Sequence, residues 1–524
     1  MALCNDNVRP LALEALDDQR LRTMRRGIEK ESLRVRPDGQ LALTPHPAPL
    51  GSPLTHPHIT TDYCESQLEL ITGVHTSVNA CLAELTRIHQ YTQQVLAEQG
   101  DERLWVSSMP CALPPDETIP LARYGTSNVG RAKSIYRMGL GMRYGRRMQT
   151  ISGIHYNWSL PGLTSADYFS LIRNFRRLAF LPLVLQGASP AVHRDFLDGR
   201  DHVLQPIGRD TFHLPHATSL RMGNLGYQSD AQASLCVSYN CLNSYAASLH
   251  NALTEPWPAY QALGVRNPGG DYMQLATTLL QIENEFYGTI RPKRTIFPGE
   301  RPLHALRERG VEYVEVRLLD LDPFEPMGIN AQTLRFLDVF LTHCLTQPSP
   351  PDTPQEIRDM ARNQQLTASR GREPGLMLTR NGQPVALVDW ALAVLADMVP
   401  VAERLDLVNG VPMDAPHSHS EALAAMTARI HNPQTAPSAR VLQALAEPPA
   451  PGFLPWVAEQ SSHVRQVLLD LPWPLEHQSA FDALSQKSVL DQKAVEDADA
   501  MPFETYRQVY VSSERLGQHL PLPP

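Results

Sequence analysis

The sequence predicts an α+β fold that ends in a mainly helical region. Short segments with strand character lie among amphipathic helical patterns, at 27–35, 148–160 and 311–320. Beyond residue 328 the pattern is helical, and proline-rich loops at 347–354 and 447–455 separate the helices. Hydrophobic residues make up 42% of the chain and charged residues 19%, which is typical of a globular protein that can bury a sizeable core.

We expect the 524 residues to form a single domain over 1–524. Its sheet core is predicted over about 20–330, and its mainly helical, proline-rich region over about 345–524. A composition shift near residue 345 could mark a boundary, but the loops there are short enough to be surface connections within one body.

Helices and an extended segment are predicted between the strands. A short extended segment is expected at 58–62 and a proline-rich loop at 105–120. Helical patterns occur at 11–25, from Glu65 onward, and at 81–99, 168–188, 231–265 and 271–287.

The bulk properties exclude some classes of function. The formal net charge of −9 and the pI near 6.1 give no general attraction to nucleic acid or to an anionic membrane. Neither a signal peptide nor a stretch of about 18 apolar residues is found. Seven scattered cysteines predict free thiols and a cytoplasmic location, although one pair lying close in the fold could still oxidise.

Acidic residues are placed unusually on the first predicted strand. Glu29 and Glu31 are two apart, so both carboxylates share one strand face with Leu33 and Val35. Burial of unpaired carboxylates costs free energy, and bound divalent cations would compensate their charge. A solvated edge strand is the simpler interpretation of this segment alone.

A second acidic group follows at 62–69. Asp62 and Glu65 have the spacing of a helix start, and capping is a sufficient explanation for that pair. Asp62 and Glu69 are seven apart and would share one helical face, next to apolar residues. That arrangement is compatible with metal binding.

Two further strands carry polar faces. Gln149, His155 and Asn157 share a parity that fits a lined pocket, although a lone strand histidine is more often structural. Glu315 and Arg317 share a parity in the last strand. They form either a simple cross-strand ion pair or a metal-ligating carboxylate beside a cation that stabilises phosphoryl charge.

Basic clusters balance these acids. Residues 291–294 follow a predicted helix that contains Glu283 and Glu285. A second cluster at 131–147 contains Lys133 and is interleaved with glycine and aromatic residues. Charge runs are usually solvated faces, but this one suits a mobile loop that grips phosphates or carboxylates.

Taken together, these segments resemble the proteobacterial type of the glutamate–cysteine ligase (γ-glutamylcysteine synthetase) family. The matching blocks occur in the family's order, and they are RGIEKE (26–31), ITTDYCESQLE (59–69), YGTSN (124–128), MQTISGIHYN (148–157), ATSLRM (217–222), QIENE with IRPKR (281–294) and EYVEVR (312–317). The resemblance implies a glutamine-synthetase-like antiparallel sheet, curved into a funnel and surrounded by helices.

The resemblance also implies roles for individual residues. Magnesium would be held by Glu29, Glu31, Asp62, Glu69, His155 and Glu315. The glutamate site would include Arg221, Gln149 and Asn157, and the cysteine pocket Tyr136, Arg137 and Tyr227. Arg317 would act with Glu315 in catalysis by contacting the phosphorylated intermediate, and the nucleotide would lie near Arg291, Lys293 and Arg294. The sequence departs from the family pattern around the cysteine pocket, at Met138, Trp158 and Gly223-Asn224.

The implied activity is ATP-dependent ligation of the L-glutamate γ-carboxylate to the L-cysteine amine through a γ-glutamyl phosphate, the first step of glutathione biosynthesis. Mg²⁺ is the expected metal, with Mn²⁺ tolerated, and ATP is a co-substrate. We expect a monomer or weak homo-oligomer without nucleic-acid or membrane partners. The alternatives are a ligase of the same fold with another acceptor amine, and a catalytically silent metal- or nucleotide-binding protein.

Overall fold

An antiparallel sheet of seven strands organises the protein, as seen in a computed structural model that describes residues 11–226, 235–413, 415–448 and 450–517. The strands are β1 (Arg25–Val35), β2 (Ile59–Thr61), β3 (Gln67–Ile71), β4 (Arg103–Leu104), β5 (Ile154–Ser159), β6 (Ala191–His193), β7 (Gln205–Ile207), β8 (Thr211–His213), β9 (Ile290–Lys293), β10 (Tyr313–Leu319), β11 (Met377–Arg380) and β12 (Gln383–Ala386). The main sheet has the order β2-β3-β1-β5-β10-β9, and β4 pairs with β1. The sheet is open and not closed into a barrel. Its antiparallel strands, together with the surrounding helices, confirm the predicted α+β class.

Helices surround this sheet and form most of the second half of the chain. They are α1 (Asp18–Arg22), α2 (Val78–Glu98), α3 (Asn128–Tyr144), α4 (Ser165–Leu178), α5 (Phe180–Gln186), α6 (Arg194–Leu197), α7 (Leu242–Thr254), α8 (Pro258–Leu263), α9 (Pro302–Arg309), α10 (Ala331–Thr346), α11 (Pro354–Arg370), α12 (Leu387–Asp397), α13 (Val399–Asn409), α14 (His419–His431), α15 (Pro437–Ala446), α16 (Phe453–Asp470), α17 (Leu475–Asp497) and α18 (Phe503–Val511). Helix α2 confirms the prediction at 81–99.

One face of the sheet is apolar and buried. Ile28, Tyr156, Trp158, Val314 and Val316 alternate with the polar residues of their strands and are fully buried in a core cluster. Helices α2, α4 and α5 cover this face, and α10 packs on α4 behind them. The opposite face therefore carries the alternate, polar positions.

Two predicted helices are absent. The helical pattern from Glu65 is wrong, because residues 67–71 form β3, where Glu69 pairs with Glu31 and Thr60. The helix at 271–287 is also wrong. This segment is irregular apart from a short 3₁₀ turn at Glu283–Glu285, and the side chain of Gln274 bonds to the main chain at Tyr260 and Gly264.

Three other segments are shorter than predicted. Only Asp18–Arg22 of 11–25 is α-helical, and it begins where Asp17 accepts from Arg20 N. The segment 231–265 contains two helices, α7 and α8, separated near Pro256 and Pro258, and its first four residues lie outside the described ranges. The strand at 148–160 begins only at Ile154, after a 3₁₀ turn at Met148–Thr150.

The C-terminal region contains the predicted helices and one unpredicted hairpin, β11–β12. Its turn contains Asn381 and Gly382, both with positive φ, which is typical of a tight two-residue hairpin. Among the cysteines within the described ranges, five are free thiols as predicted, whereas Cys241 is disulfide-bonded. In the part of the chain that the structure describes, none of the helices has the length and apolar character of a membrane span.

Candidate active site

The polar face of the sheet gathers acidic residues from three strands, together with His155 and Asn157 from a fourth. Antiparallel register places Glu29 of β1 opposite His155 of β5, and Glu31 opposite Glu69 of β3. Glu315 of β10 lies opposite Asn157 on the other side of β5. Residues that are distant in sequence therefore share one wall of a cavity of about 410 Å³.

His155 lies at the centre of this group. Its Nδ1 is 3.2 Å from Glu29 Oε2 and 3.9 Å from Glu315 Oε1, and its Nε2 is 3.6 Å from Glu31 Oε1. Asn157 Nδ2 donates to Glu29 Oε1 at 2.8 Å. Asn157 Oδ1 is buried and has no hydrogen-bond partner in the described ranges. Because buried polar atoms are normally hydrogen-bonded, this oxygen is available to a bound ligand.

Asp62 joins the cavity from just beyond β2. It does not share a helical face with Glu69, as the sequence pattern suggested, because both lie in sheet-associated chain. Tyr124 Oη and Arg137 Nε both donate to its main-chain oxygen. The predicted proximity of Asp62 to the other acids is confirmed, by a different geometry.

The carboxylates are not all compensated by the protein's own cations. Burial, and then the charge of Asp62, raises the pKa of Glu31 to about 8. Burial, and then the charges of Glu29 and Asp62, raises the pKa of Glu69 well above its usual range. Burial also disfavours ionised Glu315, but Lys293 and Arg317 outweigh it and hold the pKa of that carboxyl well below its usual range.

This residue set fits a divalent metal ion. Glu29, Glu69 and His155 each offer a ligand atom, and these atoms all lie within 4.8 Å of one another. Carboxylate oxygens are the ligands that Mg²⁺ and Mn²⁺ prefer, and one imidazole is compatible with Mn²⁺. A cation here would also remove the like-charge repulsion that raises the pKa of Glu69.

Cations line the β10–β9 side of the cavity. Arg317 Nη1 is 3.0 Å from Glu315 Oε2, and Lys293 Nζ is 3.2 Å from Glu315 Oε1. Arg291 lies on the same face, and its Nη2 donates to Asn284 O at 2.9 Å. Arg294 does not line this cavity. It lines a neighbouring one of about 320 Å³, together with Arg291 and Lys293.

The residues predicted near glutamate are close to this group. Arg221 Nη2 donates to Arg317 O at 2.8 Å, and Arg221 lines a second cavity of about 190 Å³ that also contacts Arg317. Gln149 faces the main cavity, and its Nε2 donates to Tyr287 Oη at 2.7 Å. The two cavities thus meet at Arg317 and Tyr287.

The basic cluster at 131–147 is mostly helical and is not the predicted loop. Ser127 caps helix α3, because its Oγ accepts from Gly130 N. Tyr136 and Arg137 of this helix line the main cavity, and their place in a cysteine pocket stays a prediction. Tyr227, the third residue predicted in the cysteine pocket, lies outside the described residues.

Sequence reasoning did not identify several aromatic residues of the cavity. Tyr287 lies between the two cavities. Tyr506 and Tyr510 of α18 also line the main one, with ring centroids 5.8 Å apart. Their spacing of four residues on a helix was a detectable signal, but nothing in the sequence placed that helix near the sheet.

Comparisons with known proteins found a matching family model and several similar proteins. A family model described as glutamate-cysteine ligase matches residues 12–367. A glutamate–cysteine ligase of Bordetella parapertussis is 46% identical over 94% of this chain and 95% of its own, and one of Alcanivorax borkumensis is 45% identical over 93% and 95%. A crystal structure of glutamate–cysteine ligase from Francisella tularensis in complex with AMP has a TM-score of 0.88 and 33% identity, covering 94% of this chain and 98% of that one.

Proposed function

Since the chain belongs to the glutamate–cysteine ligase family, we propose how its own residues carry out the ATP-dependent ligation of L-glutamate to L-cysteine. The reaction is the first step of glutathione synthesis. The observation that carries the proposal is the convergence of Glu29, Glu31, Glu69, His155 and Glu315 on one sheet face beside Arg317.

The chemistry explains why such a site is needed. A carboxylate does not acylate an amine at neutral pH, because its leaving group would be oxide. Transfer of a phosphoryl group from ATP converts the γ-carboxylate of glutamate to a γ-glutamyl phosphate, and the amine of cysteine then displaces phosphate. The transferring phosphoryl group spreads negative charge over its oxygens, and fixed positive charges in the site stabilise that charge.

We assign the acidic residues to metal binding. Glu29, Glu31, Glu69, His155 and Glu315, with Asp62, would hold Mg²⁺, or Mn²⁺ as a substitute. When bound, the metal supplies positive charge to the phosphoryl oxygens and orients them.

The cations of β9 and β10 act on the same phosphoryl group. Arg317 is held at 3.0 Å from Glu315, so its guanidinium is oriented before substrate arrives. Lys293 and Arg291 extend this positive surface toward the neighbouring cavity, which also contains Arg294. We assign these three residues to the nucleotide, and the AMP-bound relative supports a nucleotide site in this fold.

The amino-acid substrates occupy the remaining walls. Arg221, Gln149 and Asn157 bind glutamate, and the unpartnered Asn157 Oδ1 is available to accept from its amino group. Tyr136 and Arg137, with Tyr227, form the cysteine pocket. A cytoplasmic location and a monomeric or weakly oligomeric state remain predictions from the sequence.

The test is ADP release with glutamate, ATP and a series of acceptor amines. Cysteine should be the preferred acceptor, and a higher kcat/KM for another amine would contradict the assignment. Glu315→Gln should lower kcat at least about 100-fold, as removal of preorganised charge does. The exposed Glu98 at the end of α2 offers a matched control, and Glu98→Gln should retain wild-type turnover.

A further inference from the structure

Lys133 is a cation of the main cavity to which the proposed mechanism gives no role. It projects from α3, and its Nζ lies 4.9 Å from the centroid of the Tyr124 ring. Over the described ranges, no hydrogen bond or ion pair engages its ammonium group. An ammonium has three donors, and leaving all three unused in a binding cavity points to a ligand.

The other cations of the cavity are already engaged. Lys293 and Arg317 both bond to Glu315. Arg137 donates to the main chain at Asp62 and at Lys133, the latter at 3.1 Å. Arg291 donates to the main-chain oxygen of Asn284. Lys133 therefore differs from its neighbours in having its charge free for a substrate.

Lys133 lies beside β2 and β3, whereas Lys293 and Arg317 belong to β9 and β10, at the other end of the acidic residues. It rests on Tyr124, whose hydroxyl donates at 2.6 Å to Thr61 O at the end of β2. Strands β1 and β5 separate β3 from β10, and three strand spacings amount to about 14 Å. Lys133 and the Lys293–Arg317 pair are therefore placed to meet different groups of the bound substrates.

The β2–β3 side of the cavity is strongly acidic. Asp62, Glu69 and Glu31 all line it, so an anionic group entering there would be repelled unless a cation received it. Both amino-acid substrates carry an α-carboxylate that the reaction leaves unchanged. That group needs a fixed counter-charge throughout the catalytic cycle.

We propose that Lys133 binds the α-carboxylate of an amino-acid substrate on the β2–β3 side of the cavity, while phosphoryl transfer takes place on the β10–β9 side. The proposal rests on the ligase activity and the site assigned above. Glutamate and cysteine share this carboxylate chemistry, and the experiment distinguishes them.

The experiment compares the wild type with Lys133→Met and Lys133→Arg in steady-state ADP release. Lys133→Met should raise the KM of one amino acid about 10- to 100-fold, the usual cost of losing a hydrogen bond to a charged group. The KM of ATP and the melting temperature should not change. Lys133→Arg should recover part of the loss because it keeps the charge. Lys487→Met, on an exposed lysine of α17, is the matched control and should behave as wild type.

A substrate-side measurement identifies the carboxylate directly. The penalty in Lys133→Met should disappear when the affected substrate is replaced by its decarboxylated analogue, cysteamine for cysteine or γ-aminobutyrate for glutamate. An equal penalty with the analogue would overturn the proposal, because the lysine would then act on something other than the carboxylate.

Other outcomes also separate the alternatives. Unchanged amino-acid KM values in Lys133→Met overturn the proposal, and so does a change confined to the Mg²⁺ requirement, which would mean that Lys133 only offsets Asp62 and Glu69. A raised KM for ATP alone would overturn it as well. Failure of the wild type to release ADP with glutamate and cysteine would instead refute the proposed function.

Discussion

Gly153 connects the acidic residues to the arginines of the site. Its N–H donates to Glu31 Oε2 at 2.6 Å. A Cβ at this position would overlap the guanidinium of Arg221, which is 2% exposed and bonds to Arg317 O. Arg221 Nη1 also lies 3.7 Å from the buried carboxylate of Asp320. Glycine is therefore required here for close packing, because any side chain would move Arg221.

Gly153→Ala should displace Arg221 and weaken the hydrogen bond to Glu31. We expect kcat/KM for glutamate to fall at least about tenfold, since misplacement of a positioning group is costly. Steady-state ADP release with varied glutamate measures this. At Gly517 the φ angle is −125° and the nearest neighbour of a Cβ is 3.8 Å away, so Gly517→Ala is the control. Unchanged glutamate kinetics in Gly153→Ala would show that Arg221 has no part in binding.

The site residues on single strands could be predicted from local pattern alone. Alternation put Glu29 and Glu31 on one face of β1, and Glu315 and Arg317 on one face of β10, and the structure confirms both pairings. The prediction that Asp62 and Glu69 share a face assumed helical periodicity, whereas Glu69 lies in a strand. Their spacing of seven fits a helix, but pairing with β2 and with β1, the latter a contact distant in sequence, makes 67–71 a strand.

At the level of elements, a buried ion pair joins the back of the sheet to α10. Arg26 Nη2 of β1 is 2.9 Å from Asp338 Oδ2, and Tyr156 Oη of β5 donates to Asp338 Oδ1 at 2.7 Å. Because β1 and β5 also carry Glu29 and His155 on their other face, this contact fixes the two central strands of the site against a helix. The apolar pattern of the strands could not predict it, because Arg26 and Asp338 are 312 residues apart.

Asp338→Asn should lower the free energy of unfolding by about 3–5 kcal/mol, because it leaves the buried charge of Arg26 uncompensated. A guanidinium chloride denaturation curve measures the effect. Asp18 is half-exposed and pairs with Arg404 on the surface, so Asp18→Asn should cost less than about 1 kcal/mol. Equal denaturation midpoints for the two variants would contradict a structural role for the buried pair.

At the scale of the whole molecule, the C-terminal helices complete the cores of the sheet region. Trp105 and Phe453 pack with ring centroids 6.2 Å apart, and Tyr91 stacks on Phe481 at 4.9 Å. Val464 belongs to the same buried cluster as Leu33 of β1. The composition shift near residue 345 is therefore not matched by separate packing, and a single domain over 1–524 stays a prediction.

A chain that ends at residue 345 should fail to fold, because removal of α16 and α17 exposes apolar residues of β1 and α2 to water. Circular dichroism during heating measures this, with the full-length chain as reference. A cooperative unfolding transition of the shortened chain would show that the sheet region is a domain by itself.

The proposed mechanism depends on a divalent cation bound by the acidic residues of the sheet face, and direct Mn²⁺ titration of the nucleotide-free protein tests this binding. Isothermal calorimetry should show binding to the wild type and to Glu98→Gln. In Glu29→Gln and Glu69→Gln we expect affinity to fall at least about tenfold, because each variant removes one of the three clustered ligands. Wild-type Mn²⁺ affinity in both variants would contradict the metal site and the mechanism built on it.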